Sequence, residues 1–373
     1  MKLSEPSSLL PNLPRGAEIL LVRLRSLGDI VLETPAIAAL HDWRPDLRIW
    51  ALVEERFAAA LEGNPSVAGM IFSRGIAETT AALRRRRLPI VFNQHGGPRS
   101  ALLTAACGAK ARVGWKGFQY SFVYNVQVPD ACEFYATPIV HTVEHRLSQL
   151  YWTGLPRGPI PQARVFPQPE AAQRARQMLA QSGVDAAGRR PYAVMQPESR
   201  LDTMRWPSEK FVEIARWLRE KHGILSIMNI AGAGPVASEI RRTIGEFAVV
   251  PPPFGLPELI ALISGASLFV GNDSGPVHIA AALGTPSVVI YGPTNPDQWH
   301  PWQSEHRLVT TGAEFRAIRG DKSIAVKEPR TVASIAVDEV RAACQELIAC
   351  GAFKRRRAGL GGGPDPRRTP EEA

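Results

Sequence analysis

The 373 residues carry 44 Lys plus Arg against 35 Asp plus Glu, a net charge of +9, and 45% of them are hydrophobic. That length exceeds one ordinary domain and suits two of moderate size, with apolar material for two cores. The basic balance favours anionic partners, whether phosphorylated sugars, nucleic acid or a membrane surface, and four scattered cysteines without a C-x-x-C pair (Cys107, Cys132, Cys344, Cys350) speak against a zinc or redox motif.

The amino terminus "MKLSEPSSLLPNLPRG" lacks the apolar core of a signal peptide. No later run approaches the roughly 18 apolar residues of a membrane span. A cytoplasmic protein with reduced cysteines is expected, with its basic face free to touch a membrane. The first predicted element is a strand, "AEILLVRL", and a turn, "RSLGD", leads into one amphipathic helix, "IVLETPAIAALHDW". Next come a strand "RIWALV", a strand and loop "LPIVFNQHG", and a helix "RSALLTAACG". "EHRLSQLYWTGLP" reads as a helix ended at Gly154. The proline-rich "PRGPIPQARVFPQPE" reads as a linker.

A second series repeats the plan. "YAVMQPES" is strand then loop, "SEKFVEIARWLREKHG" a helix stopped at Gly223, "ILSIMNIAG" a strand and "PELIALISGA" a helix. "FVGNDSGPVHIAAALGTPSVVIYGPT" supplies strand, helix and strand, and "VDEVRAACQELIAC" a last helix. The tail "KRRRAGLGGGPDPRRTPEEA" has the composition of a disordered segment. The alternation predicts an α/β protein of two Rossmann-like domains, 1–165 and 166–350, then a basic tail, 351–373. Their parallel sheets are expected to face a central cleft, since ligands in open α/β sheets sit beyond the carboxyl ends of the strands.

Two turns carry candidate chemistry. Asp273 or Ser274 occupies a helix N-cap, with Pro276 near the first helical position and Gly275 allowing close approach to the backbone. Free N–H groups there suit a diphosphate, and His278 in the first turn adds a hydrogen bond. A well-capped helix without a ligand explains the same residues. In the amino-terminal half, Ser26 to Asp29 matches a capping box. Asp29 either only bonds the Ser26 N–H or is a cleft carboxylate able to take a proton from an attacking hydroxyl. Glu33, one turn on, reads as a cleft-rim or surface residue. No Asp-x-Asp motif, helix-turn-helix, zinc finger or RNP signature is present, so neither a metal nor a nucleic-acid partner is expected. The run Arg84 to Arg87 reads as a solvated helix end or a face for anionic acceptor or lipid.

These stretches resemble the signature regions of the heptosyltransferases, glycosyltransferase family 9. The resemblance rests on "ILLVRLRSLGDIVLETPAIAAL" and "FVGNDSGPVHIAAALGTPSVVIYGPTNPDQW", with "QHGGPRSALLTAACGAKARVGW", "HTVEHRLSQLYWTGLP" and "RWPSEKFVEIARWL" in order between them. It implies a GT-B fold and an inverting transfer of heptose from ADP-heptose to the lipopolysaccharide inner core. The donor is the only small molecule implied and no cofactor is. The acceptor is an anionic lipid-linked glycan, and the place of work is the cytoplasmic face of the inner membrane. Carried over by position, Asp29 is the general base, and Ser199, Arg200, Asp273, Ser274, Gly275 and His278 hold the nucleotide sugar. Where the family usually has Lys before the Trp-Pro pair this chain has Met204, so Arg205 and Arg200 are the candidates for the missing charge. Arg25, Arg99, Arg112 and Lys116 are candidate acceptor contacts, and Trp115 either joins them or is ordinary packing. A nucleotide-sugar-binding paralogue without turnover, or another GT-B enzyme such as a sugar-nucleotide epimerase, are the alternatives.

Overall fold

The apolar runs quoted above become the strands of two parallel sheets. The computed structural model describes residues 8–184, 191–230, 234–319 and 322–351. The chain divides into two compact units. The first is the chain up to Arg164 with Pro296–Trp302 and Phe315–Ile324; the second is Val165–Asn295, Gln303–Glu314 and the chain from Ala325.

The first unit holds β1 (Glu18–Val22), β2 (Arg48–Val53), β3 (Gly69–Phe72), β4 (Ile90–Asn93), β5 (Ala111–Trp115) and β6 (Val126–Val128). Their order in the sheet is β3-β2-β1-β4-β5-β6, and every pair is parallel. The second unit holds β7 (Tyr192–Gln196), β8 (Leu225–Met228), β9 (Ala248–Val249), β10 (Leu268–Asn272), β11 (Ser287–Tyr291) and β12 (His306–Thr310). Their order is β12-β11-β10-β7-β8-β9, again all parallel. Counted from the first strand of each unit, the two orders are the same. Each reverses direction between its first and fourth strands, β1 and β4 in one unit and β7 and β10 in the other. That reversal is the switch point at which an open α/β sheet leaves a crevice.

Strands covered on both faces read as continuous apolar runs rather than alternating ones. Ile19, Leu20, Leu21 and Val22 of β1 and Leu268, Phe269 and Val270 of β10 are accordingly all buried. The helix Ser208–His222 packs Phe211, Ile214, Ala215 and Leu218 inward and ends at Gly223, whose φ of 67° only glycine adopts freely.

Three expectations change. The first helix is two helices, Leu27–Val31 and Thr34–Trp43. Pro35 has no N–H to give the Val31 carbonyl, and the Thr34 hydroxyl donates to that carbonyl instead, at 2.7 Å. A pair of strands that the expected elements left out, β13 (Glu314–Arg319) and β14 (Lys322–Lys327), forms a two-stranded sheet of its own, although two short runs separated by Gly-Asp are a hairpin signal. The proline-rich segment runs into a helix, Pro169–Gln181, that begins with its last two residues. The expected disordered tail, from Lys354, lies outside the described residues. Among the described residues no helix is long and apolar enough to cross a membrane.

Candidate functional site

Each switch point carries one of the two turns singled out in the sequence. In the first unit β1 runs out into Arg23 and the short helix bearing Asp29, and β4 runs out into the loop Gln94–Gly97. Asn93, the last residue of β4, shapes that loop. Its Oδ1 accepts from the N–H groups of His95 and Gly96, both at 3.0 Å, and its Nδ2 donates to Thr104 at 2.9 Å. Gly96 has φ +74°, and a Cβ there would stand 2.6 Å from the Phe118 ring, so no side chain fits.

Two arginines from distant parts of the chain meet on this loop. Arg23 and Arg146 each donate through Nη1 to the Gln94 carbonyl, at 2.5 and 3.1 Å. Their Nη2 atoms then reach the same Asp29 oxygen, Oδ1, with Arg146 at 2.9 Å and Arg23 also paired. The other oxygen, Oδ2, accepts from the Ser26 hydroxyl at 2.9 Å and the Ser26 N–H at 3.3 Å. The capping role of Asp29 and its place in a charged cluster therefore coexist. Burial pushes the Asp29 carboxyl up, but the charges of Arg23 and Arg146 outweigh it and hold the group well below the usual carboxylate range. A cavity of about 470 Å³ opens beside it, lined by Arg23, Asp29, His95, Arg146, Trp299 and Lys322 among others. Burial, then Arg23, lower the His95 pKa to about 4, so its imidazole is neutral at physiological pH.

The four candidate acceptor residues are not among those that line this cavity. Arg25 is exposed, and its charge is one of those acting on His95. Arg99 is exposed, with its guanidinium given to the Ser73 and Arg74 carbonyls. Arg112 donates to the Val123 and Ala109 carbonyls at 2.9 and 3.3 Å, which ties β5 to its neighbouring loops. Lys116 is exposed. Trp115 is packing: it is 2% exposed, donates to the Ser148 hydroxyl and stacks on His145 at 4.0 Å. Glu33 is not at a rim or surface; it is 3% exposed. The Arg84–Arg87 run is divided. Arg84 donates to the Ala106 carbonyl, Arg86 pairs with Glu18 and lies over the Trp50 ring, and Arg85 and Arg87 are exposed.

In the second unit, Asn272 ends β10 as Asn93 ends β4, and it too is 0% exposed. Its Nδ2 donates to the Pro197 carbonyl at 2.7 Å and its Oδ1 accepts from the Trp206 N–H at 3.0 Å. Those two bonds draw the loop after β7 against the start of the helix Gly275–Ala282. On that loop Ser199 approaches the Asp273 carbonyl at 3.5 Å. Arg205 donates to the Ser199 carbonyl at 3.2 Å and pairs with Asp202 at 2.8 Å. Ser199, Arg205, Asp273, Ser274 and Gly275 are thus brought together. Arg200, on the same loop, is exposed, and His278 is buried in the first turn of the helix. Ser274 is at the N-cap, yet its hydroxyl donates to the Asn272 carbonyl at 3.0 Å and does not cap the helix. Pro276 carries no N–H and the Val277 N–H donates to the Ser274 carbonyl at 3.1 Å, which leaves the Gly275 N–H at the head of the turn. Burial raises the Asp273 pKa to about 6 against a smaller lowering by the Thr294 hydroxyl. Met204 ends a short 3₁₀ turn. The following lysine, Lys210, is occupied by the Ala333 and Ile335 carbonyls at 2.7 and 2.8 Å.

Sequence reasoning missed Arg23, His95, Arg146, Trp299 and Lys322. Arg23 sat in full view two residues before the "RSLGD" turn. Arg146 looked like any helix arginine and Lys322 like any late basic residue, and only the fold brings them to Asp29. Among the described residues no group of three or more His, Cys, Asp or Glu is placed to hold a metal ion.

The sequence profile of glycosyltransferase family 9 (heptosyltransferase) matches residues 76–322. Lipopolysaccharide heptosyltransferase 3 of Escherichia coli K12 is 26% identical over 299 residues, covering 75% of this chain and 83% of that protein. A family 9 glycosyl transferase of Veillonella parvula superposes with a TM-score of 0.74 at 20% identity, covering 90% of this chain and 98% of that one. The E. coli ADP-heptose lipopolysaccharide heptosyltransferase II gives 0.71 at 20% identity, covering 91% and 100%. The fold is therefore GT-B.

Proposed function

Because this chain belongs to glycosyltransferase family 9, the heptosyltransferases, we propose that it transfers a heptose from ADP-heptose to the lipopolysaccharide inner core or a similar glycan. The observation that carries this reading is the placement of the two motif turns. They lie at the switch points of two sheets with the same strand order, one turn rich in fixed charge and the other a helix start that its own serine leaves uncapped.

The second unit is the proposed donor side. The Gly275 N–H at the positive end of the helix Gly275–Ala282, with the Ser199 and Arg205 loop, would receive the diphosphate and stabilise its charge as it leaves. Met204 provides no cation, so Arg205 and the exposed Arg200 take that part. The first unit is the proposed acceptor side. Lys322 and Arg23 suit the phosphates of an anionic glycan, and Asp29 takes the proton of the attacking hydroxyl. That oxygen forms a bond to the anomeric carbon as the bond from that carbon to the ADP oxygen breaks. Attack on the face opposite the leaving group inverts the configuration. No metal-binding step is assigned; N–H groups and arginines neutralise the diphosphate. Arg85 and Arg87 favour a peripheral contact with anionic lipid at the membrane where such an acceptor resides.

The test is incubation of the purified chain with ADP-heptose and a heptose-deficient lipid A core, with the product weighed by mass spectrometry. ADP-, GDP-, UDP- and dTDP-sugars are compared in the same assay. Transfer only from a non-ADP donor would overturn the donor assignment. A second reading, a donor-binding protein without turnover, is favoured by Met204 alone; binding of ADP-heptose with no product would support it.

A further inference from the structure

Glu33 is a buried carboxyl for which the reaction above has no use. It sits at the N-cap of the helix Thr34–Trp43, four residues beyond Asp29, and is 3% exposed. Neither of its oxygens has a hydrogen-bond partner. Its ion-pair contact is with Arg146, whose Nε lies 3.8 Å from Oε2. The same guanidinium bonds Asp29 through Nη2 at 2.9 Å. On its other side Glu33 meets Arg23 and the aliphatic chains of Leu21, Ile30, Ile37, Leu52 and Leu61 around a cavity of about 10 Å³, room for one water at most.

The cluster thus contains two arginines and two carboxylates in an interior that screens charge poorly. With Glu33 ionised the four charges cancel; with Glu33 protonated the cluster carries a net +1. Asp29 feels that difference through Arg146. A carboxylate that faces two uncompensated arginines holds a proton weakly, and one that shares them with a second carboxylate holds it more strongly. We propose that Glu33 is a positioning residue for the transfer reaction: it takes part of the Arg146 charge from Asp29 and so sets how strongly Asp29 accepts the proton of the acceptor hydroxyl. The inference rests on the reading of Asp29 as the base.

Glu33 is also placed to titrate in the working range. Burial raises its pKa to about 7, against lowering by Arg146 and Arg23 and a further rise from Asp29. On the Asp29 side of the cluster, His95 lines the larger cavity with its imidazole already neutral, and His145 meets Arg146 Nη1 at 3.4 Å. The elements that line the cavity from β1 and β2 bring no other charge to Glu33.

The experiment follows transfer and infrared absorption together between about pH 5 and about pH 9. In the parent, kcat rises with pH through one ionisation while KM for the donor stays level. Glu33→Gln, fixed in the neutral form, loses that rise and stays at the parent's low-pH rate, about tenfold below the parent at high pH. Infrared difference spectra need no substrate. A protonated-carboxyl band absent from Glu33→Gln should titrate with the same midpoint, and the carboxylate band absent from Asp29→Asn should shift as it does. If Glu33→Gln does not fold, Glu33→Asp takes its place and must move the midpoint. A parent pH profile retained in the variant, or an Asp29 band indifferent to Glu33 ionisation, overturns the proposal. A parent that transfers no heptose while the two bands titrate together instead overturns the reading of the function and leaves the coupling standing.

Discussion

The turn after β1 and the turn after β10 lie at the switch points of two sheets of the same topology, one on the first strand of its unit and the other on the fourth, and each presents a buried aspartate. Their chemistry is opposite. Asp29 is gripped by Arg23 and Arg146 and kept ionised. Among the described residues no cation pairs with Asp273; the cause that raises its pKa is burial, and its counterweight is a hydroxyl. The fold repeats the switch point, and the side chains that converge on each turn beside it decide the charge. A fixed anion among cations suits a group that must receive a proton. An aspartate whose pKa burial raises to about 6 takes up a proton far more readily than Asp29, which lessens its repulsion of a diphosphate beside the helix start. The paired asparagines Asn93 and Asn272 make the same point from the other side. Both end a fourth strand, both are fully buried, and each spends its amide on holding the loop that its own unit uses.

The comparison breaks most visibly at Asp29. Asp29→Asn should lower transfer by about 100- to 10,000-fold, the usual worth of a general base. Calorimetric affinity for ADP-heptose should stay at the parent value. Retained turnover would reduce Asp29 to a helix cap and erase the contrast between the two turns.

Next in size are the supports of the second turn. Asn272→Ala abandons a buried carbonyl and a buried N–H, at about 1–3 kcal/mol each, read by urea denaturation, and it should weaken donor binding as the loop loosens. Asn93→Ala should destabilise comparably yet leave donor affinity alone. Equal loss of donor affinity in both variants would mean the two turns do not divide the substrates. Arg205→Ala should weaken the donor by about 1.5–3 kcal/mol if it supplies the charge missing at Met204, and Met204→Lys should hold or raise affinity. Donor affinity unchanged in Arg205→Ala would remove that arginine from the site.

The two aspartates should also pull stability in opposite directions with pH. The Asp29 pKa is depressed on folding, so its contribution is present above the usual aspartate range and lost as pH falls. The Asp273 pKa is raised to about 6. Its contribution is full below the usual aspartate range and lost as pH rises through about 6. Denaturation of the full chain across that range should be steeper in the parent than in Asp273→Asn, and Asp29→Asn should flatten only the acid side. Identical pH dependence in both variants would contradict the contrast. The smallest effect is expected at the exposed arginines. Arg85→Glu with Arg87→Glu should reduce binding to anionic vesicles at low salt, and the parent should lose the same binding at high salt as exposed charges are screened over about 8–10 Å. Salt-indifferent binding would reject an electrostatic attachment.

Much of this molecule was legible before it was folded. Unbroken apolar runs such as "ILLV" and "LFVG", short and bounded by turn residues, read as strands buried on both faces, and their alternation with helices of 3.6-residue period pointed to parallel sheets. The "SLGD" and "NDSGP" turns announced themselves because caps, glycine and proline act within a few residues of chain. Signals of that range are written into the sequence directly. The helix break at Pro35 was equally local and was overlooked, because a proline in the first turn of one helix looks like a proline inside a longer one. What the tertiary structure alone decided is everything that depends on residues far apart. Arg23 and Arg146 are separated by more than a hundred positions and share one carboxylate oxygen. Lys322 reaches the same cavity from β14, and Arg112 turned out to hold loops. Glu33 was given to the surface because a charged residue usually goes there; the helix break turns it into the interior beside Arg146. Charge and burial at a site are sums over neighbours in space, and a sequence lists neighbours only along the chain.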